Sequence, residues 1–396
     1  MQHKIVTFFQ TLFLGSLLFG TGIRIPIYQG AYIYPHDCTL LLYYLSYIFV
    51  YGKNISFNQT IVKPMCLFLG IASLSLLINI FRFPVVEGIT GAMYLLRILF
   101  YGFLFIIVSN DKKAIEWMKK LYVVGIVFAF IGFIQFLWYP NLRNLEYIGW
   151  DPHYYRLFST LFDPNLAGIF LGLTFLTGWM FITKNNRIWM ALIQGIILMA
   201  IILTISRSAL LSVFGASVFI ILYKKAWNYI LMLCLSVTVI FLLPVPNKSI
   251  TPLFRQETGL ARLNNWSESV NLISARPVFG QGFNLLRSIF EPNYSQIGTS
   301  LSHAGAGVDN SFLFVLLTTG IVGGIAFLYL IYYLWILGVR LLQQRKNNQF
   351  GIVYASSLFA VSIHSLFNNS LFYPWIFLWL MILLGTGEVM AKKEKI

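Results

Sequence analysis

The most constraining feature of this 396-residue sequence is a succession of apolar runs, each about as long as a lipid bilayer is thick. A helix that crosses a bilayer needs about 20 predominantly apolar residues. Only 10% of the residues are charged, whereas a soluble domain carries about 25%. Because so few charges cannot cover a water-exposed surface, we predict an all-α, polytopic integral membrane protein.

Windows of this length predict about twelve transmembrane helices in a single domain that covers residues 1–396. The sequence shows no internal repeat. A long outer loop, residues 246–309, separates the ninth and tenth predicted spans and is expected to carry part of the active site. The predicted spans are 5–21, 38–52, 62–81, 88–108, 120–139, 164–183, 188–205, 207–223, 227–245, 310–338, 351–367 and 370–388.

The distribution of basic residues predicts the orientation. With both termini inside, 17 of the 28 Lys and Arg residues fall in inner segments and ten in outer segments, while Arg97 lies within the fourth span. Cytoplasmic loops normally carry the excess of Lys and Arg, so we expect both termini in the cytoplasm. The net charge of +15 does not indicate nucleic-acid binding, because no soluble domain presents the outer basic residues.

The two sides also differ in the type of basic residue. Lysine accounts for 14 of the 17 inner residues, whereas arginine accounts for nine of the ten outer ones. The planar guanidinium group binds phosphate through two parallel hydrogen bonds. This difference favours a phosphate-bearing ligand at the outer leaflet; the alternative is that surface loops simply contain some arginine.

Three predicted spans begin with a polar residue that can cap a helix. Ser206 precedes Arg207 in "LTISRSALLS", Asp163 precedes Pro164 in "FDPNLAG", and Asp309 lies at the start of the tenth span. Exposed N–H groups and the helix dipole favour an anion at such an end. Capping alone explains Asp163, Asp309 could be a cap or a functional carboxylate, and Arg207 could instead be an arginine anchored at the membrane interface.

The long loop contains a second group of candidate residues. Arg262, Trp266, Val270 and Ile273 recur at helical spacing, which predicts an amphipathic helix on the membrane surface that ends at the following Pro and Gly residues. His303 follows in a glycine-rich segment and is either structural or catalytic. For the last histidine, His364 in the eleventh span, packing and a polar lining role are equally open.

Motifs for cofactor or metal binding are missing from the sequence. It has no Asp-x-Asp pair, no histidine pair at ligand spacing and no glycine pattern typical of nucleotide binding. A metal that holds a diphosphate needs clustered oxygen ligands, and the outer carboxylates are scattered singly. We therefore expect no cofactor and no metal, and we expect arginine to supply the positive charge that binds the diphosphate.

Four segments together resemble the O-antigen ligase and polysaccharide polymerase family: "TISRSALLS" at 204–212, "FDPNLAGIFLGL" at 162–173, "RLNNWSESVNLISARPVFGQG" at 262–282 and "DNSFLFVLLTTGIVGG" at 309–324. The resemblance covers about residues 150–385. It implies transfer of glycan from an undecaprenyl diphosphate carrier to a hydroxyl group at the outer face of the bacterial plasma membrane, without a metal in the ligases. By motif match, diphosphate binding is expected at Arg207 and Arg262, with weaker contributions from Arg156 and Arg276.

The sequence departs from the ligase pattern at one position. That pattern is His, then Asn, Ser or Gln, then nine residues and Gly-x-x-Gly; here Asn310, the nine residues and Gly320 to Gly323 fit, but Asp309 occupies the histidine position. The base could be Asp309, or His303 from six residues upstream, or neither. This departure favours a polymerase over a lipid A ligase.

Three functions therefore remain open at this stage. The favoured one is a polymerase that joins lipid-linked repeat units for O-antigen, capsule or exopolysaccharide, working beside flippase and chain-length regulator proteins. The second is a ligase that moves finished glycan to lipid A core or another acceptor. The third is a transporter or flippase of lipid-linked sugars, favoured by Arg97 but not by the sequence pattern, which shows neither repeated halves nor broken helices.

Overall fold

The computed structural model describes residues 2–28, 31–148, 150, 153–183, 185–225, 227, 256–290, 307–344 and 348–392. Throughout these ranges the protein is a helical bundle with one short antiparallel strand pair, β1 (Ile25–Tyr28) and β2 (Ala31–Ile33). The prediction of an all-α, polytopic membrane protein is thereby confirmed. Seven of the described helices are long and apolar enough to cross a membrane.

Eleven of the twelve predicted spans coincide with helices. The ninth, 227–245, lies outside the described residues apart from Trp227. The helix in the long loop, α9, is not one of the predicted spans. Apart from a four-residue helix at Arg287–Phe290, the described α-helices are α1 (Gln2–Ser16), α2 (Pro35–Tyr51), α3 (Val62–Asn79), α4 (Val85–Asn110), α5 (Ala114–Trp138), α6 (Pro164–Gly178), α7 (Arg187–Leu203), α8 (Arg207–Lys224), α9 (Gln256–Ala275), α10 (Ser311–Gln343), α11 (Asn348–Ser365) and α12 (Pro374–Lys392).

The core of the bundle is built around α12. This helix is apolar on all sides and packs against α4, α5 and α10, as expected for a helix buried within other helices. Trp375 and Trp379 are 1% and 0% exposed. The Trp379 ring lies edge-on to Phe170 of α6, 5.1 Å between centroids, which joins α6 to the same core.

A single tight turn separates α7 from α8. Ile205 adopts a left-handed conformation (φ 50°), and the Ser206 side chain then accepts a hydrogen bond from the Ala209 N–H, 3.4 Å. The split predicted at Ser206 is confirmed, and Arg207 lies in the first turn of α8.

The tenth helix is broken at Gly320, where φ is 66° and ψ is −167°. The segment 277–282 packs into this break. Ile321 N donates to Pro277 O at 2.7 Å, and Leu317 O accepts from Gln281 N at 2.8 Å. The absence of a broken helix in the sequence pattern was therefore a wrong prediction, and the break is sealed by backbone hydrogen bonds.

Contacts between the ends of the helices define the two ends of the bundle. At one end, Thr21 N donates to Thr160 O at 2.9 Å, and the Ser311 hydroxyl donates to Asn368 O at 3.3 Å. At the other, the Lys120 ammonium donates to Gln10 at 2.6 Å. The first end, which includes Ser206 and is here called the site end, gathers the segments that the sequence places outside.

Candidate functional site

The site end brings together the N-terminal ends of α6, α8 and α10. The Asp163 carboxylate caps α6 by accepting from Asn165 N at 2.7 Å and from Leu166 N at 3.2 Å. Together with Ser206 on α8, this confirms two of the three predicted caps. Three helix ends converge on one region, and each contributes a positive partial charge and N–H groups that favour an anion.

The third cap is not the predicted residue. Asn310, rather than Asp309, accepts from the backbone N–H groups of Phe312 and Leu313, at 2.9 and 3.1 Å. Both residue types are good caps. Because the helix begins at Ser311, the Asn310 side chain faces the N–H groups of the first turn and the Asp309 side chain does not. The prediction of Asp309 as the cap was wrong, and its carboxylate is available for another role.

Asp309 instead pairs with Arg262. Arg262 Nε lies 3.9 Å from Asp309 Oδ2, and the two side chains are 23% and 51% exposed. Asn265 on the next turn of α9 accepts from Asp309 N at 3.4 Å and donates to Gly307 O at 3.3 Å. The helix α9 therefore holds the segment before α10 at two positions, and two residues predicted as candidates from different motifs meet.

Opposing electrostatic effects act on the two carboxylates of this region. Partial desolvation of Asp309, whose side chain remains 51% exposed, raises its pKa; the Arg262 guanidinium lowers it and the Asp163 carboxylate raises it, with a net rise. Burial also raises the pKa of Asp163, against the N–H groups that it caps and the nearby Arg156 and Arg262. A carboxylate with a raised pKa is a stronger proton acceptor once it is ionised.

Arg156 is held against the end of α7. Its Nε donates to Thr204 O at 2.8 Å, and one terminal nitrogen donates to Ile205 O and to the Asn165 side chain, both at 3.4 Å. A guanidinium satisfies the carbonyl groups that a helix C-terminus leaves without partners. Arg156 thus stabilises the turn that presents Ser206 and Arg207.

A buried hydrogen-bond network connects the three helix ends to the loop after α11. The Ser206 hydroxyl donates to Asn165 Oδ1 at 2.9 Å and lies 3.2 Å from Ser208 Oγ. Asn368 then donates to Ser208 Oγ at 2.9 Å, and its carbonyl accepts from Ser311. Because Ser206, Ser208, Ser311 and Asn368 are buried and Asn165 is half-buried, the network fixes the relative positions of the helix ends.

His364 lies within this region, at the end of α11. Its side chain is 0% exposed, and Nδ1 lies 2.5 Å from the Ser370 hydroxyl. Among the described residues, Nε2 has no hydrogen-bond partner. The sequence left its role open, and only the folded loop 366–373 shows that it is a buried polar group of the site end.

Arg207 and Arg276 have different surroundings. Arg207 is exposed at the start of α8. Arg276 follows α9 and donates to Asn79 Oδ1 at 3.4 Å, where Arg82 also donates at 2.8 Å. Fourteen residues at about 1.5 Å each place Arg276 roughly 21 Å from Arg262 along the helix direction. The structure therefore joins Arg262 with Asp309 but separates Arg276 from them; His303 lies outside the described residues.

The charge within the fourth span is paired. Arg97 donates to Asp37 Oδ2 at 3.3 Å and to the Tyr32 carbonyl, and Tyr101 donates to Asp37 Oδ1 at 2.5 Å. An ionisable group at this depth requires such a partner. A structural ion pair between α4 and α2 accounts for Arg97, which removes the main sequence observation in favour of a transporter.

Part of the chain is similar to a known family. Residues 192–328 match the family model described as O-antigen ligase, about a third of the 396-residue chain; the match includes Arg207, Arg262, Arg276, Asp309 and the break at Gly320. No curated protein matches the chain. The resemblance inferred from the sequence is thus confirmed over residues 192–328.

Proposed function

We propose that this protein is a polysaccharide polymerase that transfers glycan between lipid-linked repeat units at the outer face of the plasma membrane. The O-antigen ligase domain indicates ligase- or polymerase-type glycan processing at the membrane. The observation that carries the proposal is the pairing of Arg262 with Asp309 beside three converging helix N-termini. This combination offers positive charge for a diphosphate and a carboxylate for an acceptor hydroxyl within one site.

The proposed reaction forms one C–O bond and breaks another. The acceptor hydroxyl oxygen attacks the anomeric carbon of the donor, and its proton passes to the Asp309 carboxylate. The bond from the anomeric carbon to the diphosphate oxygen breaks, and its electron pair leaves with the diphosphate. For proton transfer, the hydroxyl must lie about 3 Å from the carboxylate, and the 51% exposed side chain of Asp309 permits this approach.

The leaving diphosphate gains charge as the bond breaks. Arg207, Arg262 and the helix ends stabilise that charge in the transition state more than in the ground state, which lowers the barrier. Arg156 acts indirectly, because its donors bind the end of α7. Holding both lipid-linked substrates in one site contributes further through proximity.

An apolar cavity beside the site fits a lipid-linked substrate. It lies between α3, α4, α10, α11 and α12, and its lining is almost entirely apolar, from Phe312 and Phe372 near the site end to Ile61 and Leu384 near the other. The apolar lining is compatible with part of an isoprenoid chain. The cavity supports a lipid carrier in preference to a water-soluble sugar donor.

The alternative within the family is a ligase. The aspartate at the position where the ligase pattern has histidine favours the polymerase, since the acceptor base would differ. The glycan that accumulates in a strain without this gene separates the candidates. Single repeat units on the carrier support the polymerase, full-length chains on the carrier support a ligase, and repeat units that face inward support a flippase. A transfer assay on purified protein with a metal chelator tests independence from metal.

A further inference from the structure

A second group of arginines lies at the site end, apart from Arg207 and Arg262. Arg82, at the end of the turn that follows α3, and Arg276, directly after α9, both donate to the amide oxygen of Asn79, at 2.8 and 3.4 Å. Arg82 also donates to Gln281 Oε1 at 3.4 Å. We call Arg82, Arg276, Asn79 and Gln281 the second arginine cluster.

The cluster has an excess of positive charge. Within the described part of the chain, no Asp or Glu side chain lies within 4.0 Å of either guanidinium group. Two guanidinium groups at one acceptor repel each other, and a neutral amide oxygen offsets this only in part. The negative ends of the α3 and α9 dipoles offset part of this charge, because Arg82 follows α3 and Arg276 follows α9.

The positions of both arginines are set by buried groups. Asn79 is 1% exposed and donates to Ser75 O at 2.9 Å and Gly280 O at 3.3 Å. Gln281 is 4% exposed and donates to Leu272 O at 2.7 Å. Of the five N–H donors in a guanidinium group, hydrogen bonds to the described residues occupy two in Arg82 and one in Arg276. Both arginines are exposed at this surface, and their remaining N–H donors can bind an anion.

The surroundings show where its ligand would come from. Phe81 and Val85 on either side of Arg82 are 94% and 77% exposed, and Val278 close to Arg276 is 53% exposed. Large apolar side chains exposed around a basic group are typical of the membrane interface. An anion that reaches this position from the membrane would be a phosphate ester, either that of a glycan carrier or that of a phospholipid headgroup.

We propose that Arg82 and Arg276 form a second phosphate-binding site for the diphosphate of the other lipid-linked substrate. The assignment to a substrate rests on the proposed polymerase function, in which donor and acceptor both carry a lipid diphosphate. The helix α9 connects the two sites, with Arg262 and Arg276 separated by roughly 21 Å along its direction. Two anchored diphosphates would then lie apart, with their glycans meeting near Asp309.

The test measures how many molecules of radiolabelled geranyl diphosphate bind to the purified full-length protein in phosphatidylcholine nanodiscs. We expect two per chain. The double variant Arg82→Gln/Arg276→Gln should bind one molecule per chain. The double variant Arg207→Gln/Arg262→Gln should also bind one, at the second arginine cluster. Arg143→Gln, which removes an outer arginine that lies over the Tyr154 ring, should still bind two. One site in the unaltered chain, or two in the Arg82/Arg276 variant, overturns the proposal.

Two further measurements cover a variant that does not fold and a phospholipid headgroup as the ligand. If the Arg82/Arg276 variant does not fold, the Arg207/Arg262 variant remains decisive, because it should retain one site and zero would contradict the proposal. In nanodiscs that contain phosphatidylglycerol, loss of the Arg82/Arg276 site would identify a headgroup site and overturn the assignment to a carrier. Binding requires no glycan transfer, so a failure of the polymerase function leaves this result readable.

Discussion

Asp309 and Asn310 are adjacent polar residues with different tasks. Asn310 satisfies the N–H groups of Phe312 and Leu313 at the start of α10, whereas Asp309 faces Arg262. Under the proposed function, helix capping and proton transfer therefore belong to neighbouring side chains, and each can be changed separately.

We expect Asp309→Asn to leave the protein stable but to lower glycan transfer by about 10²- to 10⁴-fold, because the amide cannot accept a proton. Asn310→Ala should do the reverse and cost about 1 kcal/mol of stability through the lost cap. Transfer rates and thermal unfolding of both purified variants provide the measurement. If Asp309→Asn keeps most of its activity while His303→Ala loses it, His303 is the base.

A substitution of Arg207 tests whether bidentate binding of phosphate is required. Arg207→Lys should fold and insert normally yet lose on the order of 10²-fold in transfer rate, by analogy with the loss of one donor that stabilises a transition state, because lysine is a point charge without the guanidinium fork. Arg143→Lys is the matched control, since Arg143 lies over the Tyr154 ring, and should retain full activity. Normal activity of Arg207→Lys would make Arg207 an interface anchor only.

The Arg262–Asp309 pair predicts a shift in the pH profile. The Arg262 guanidinium lowers the pKa of Asp309, so its removal must raise that pKa. Since the base must be ionised, activity falls as the pH drops through the pKa. As the pH is lowered, the residual activity of Arg262→Gln should therefore begin to fall at a higher pH than the activity of the unaltered protein. An acidic limb that stays in place or moves to lower pH would contradict the role of Asp309 as base.

Individual roles at the site were only partly predictable from the sequence. The caps at Asp163 and Ser206 follow from residue type and position, because the neighbouring pattern fixes where each helix begins. The choice between Asp309 and Asn310 does not, since both side chains can cap and the two differ by one position. The pairing of His364 with Ser370 depends on a loop conformation that no spacing rule describes.

Among the elements, α10 is unusual because its break serves as a docking point. A side-chain carbon at Gly320 would lie 2.2 Å from Val278 O, and one at Gly280 would lie 2.6 Å from Gly320 N. Both glycines have positive φ, which other residues rarely adopt. The Gly-x-x-Gly of the family pattern thus begins with a residue that lets two backbones meet, and this contact fixes the end of α9.

Gly320→Ala should therefore destabilise the protein by more than about 2 kcal/mol, because it adds both a steric clash and backbone strain. Gly195→Ala in α7 is the control: its added carbon would meet nothing within 4 Å, so the substitution should be neutral or stabilise by about 0.5–1 kcal/mol. Thermal unfolding in detergent compares the two. Equal unfolding midpoints for both variants would show that the segment 277–282 is not held in the break.

The sequence predicted helix α9 but not its docking. Arg262, Trp266, Val270 and Ile273 gave the helical period, and Pro277 gave its end, as the structure has it. The break in α10 escaped prediction because Gly320 lies within a continuous apolar run, where a glycine is compatible with a straight helix. Once α9 is a rigid helix, Arg262 and Arg276 cannot share one phosphate group.

The length of the apolar runs alone predicted the membrane-spanning helices, because the bilayer fixes both their length and their composition. Eleven helices match predicted spans, and their ends segregate as alternating crossings require. Which end faces the cytoplasm follows only from the lysine and arginine distribution. The proposed function requires the orientation in which Arg207 and Asp309 lie on the outer side of the membrane.

Orientation can be tested by cysteine labelling of intact cells in a chain whose own cysteines are replaced. Ser274→Cys lies on the exposed side of α9 at the site end, and an impermeant maleimide should label it from outside. Lys119→Cys is the control, because Lys119 lies on α5 near the opposite end with its side chain 52% exposed, and it should react only after the cells are opened. The reverse pattern would place the site end in the cytoplasm. Arginine would then concentrate on the inner side, and the proposed meeting of an outer-leaflet diphosphate with Arg207, Arg262 and Asp309 would be impossible whatever the fold of the site.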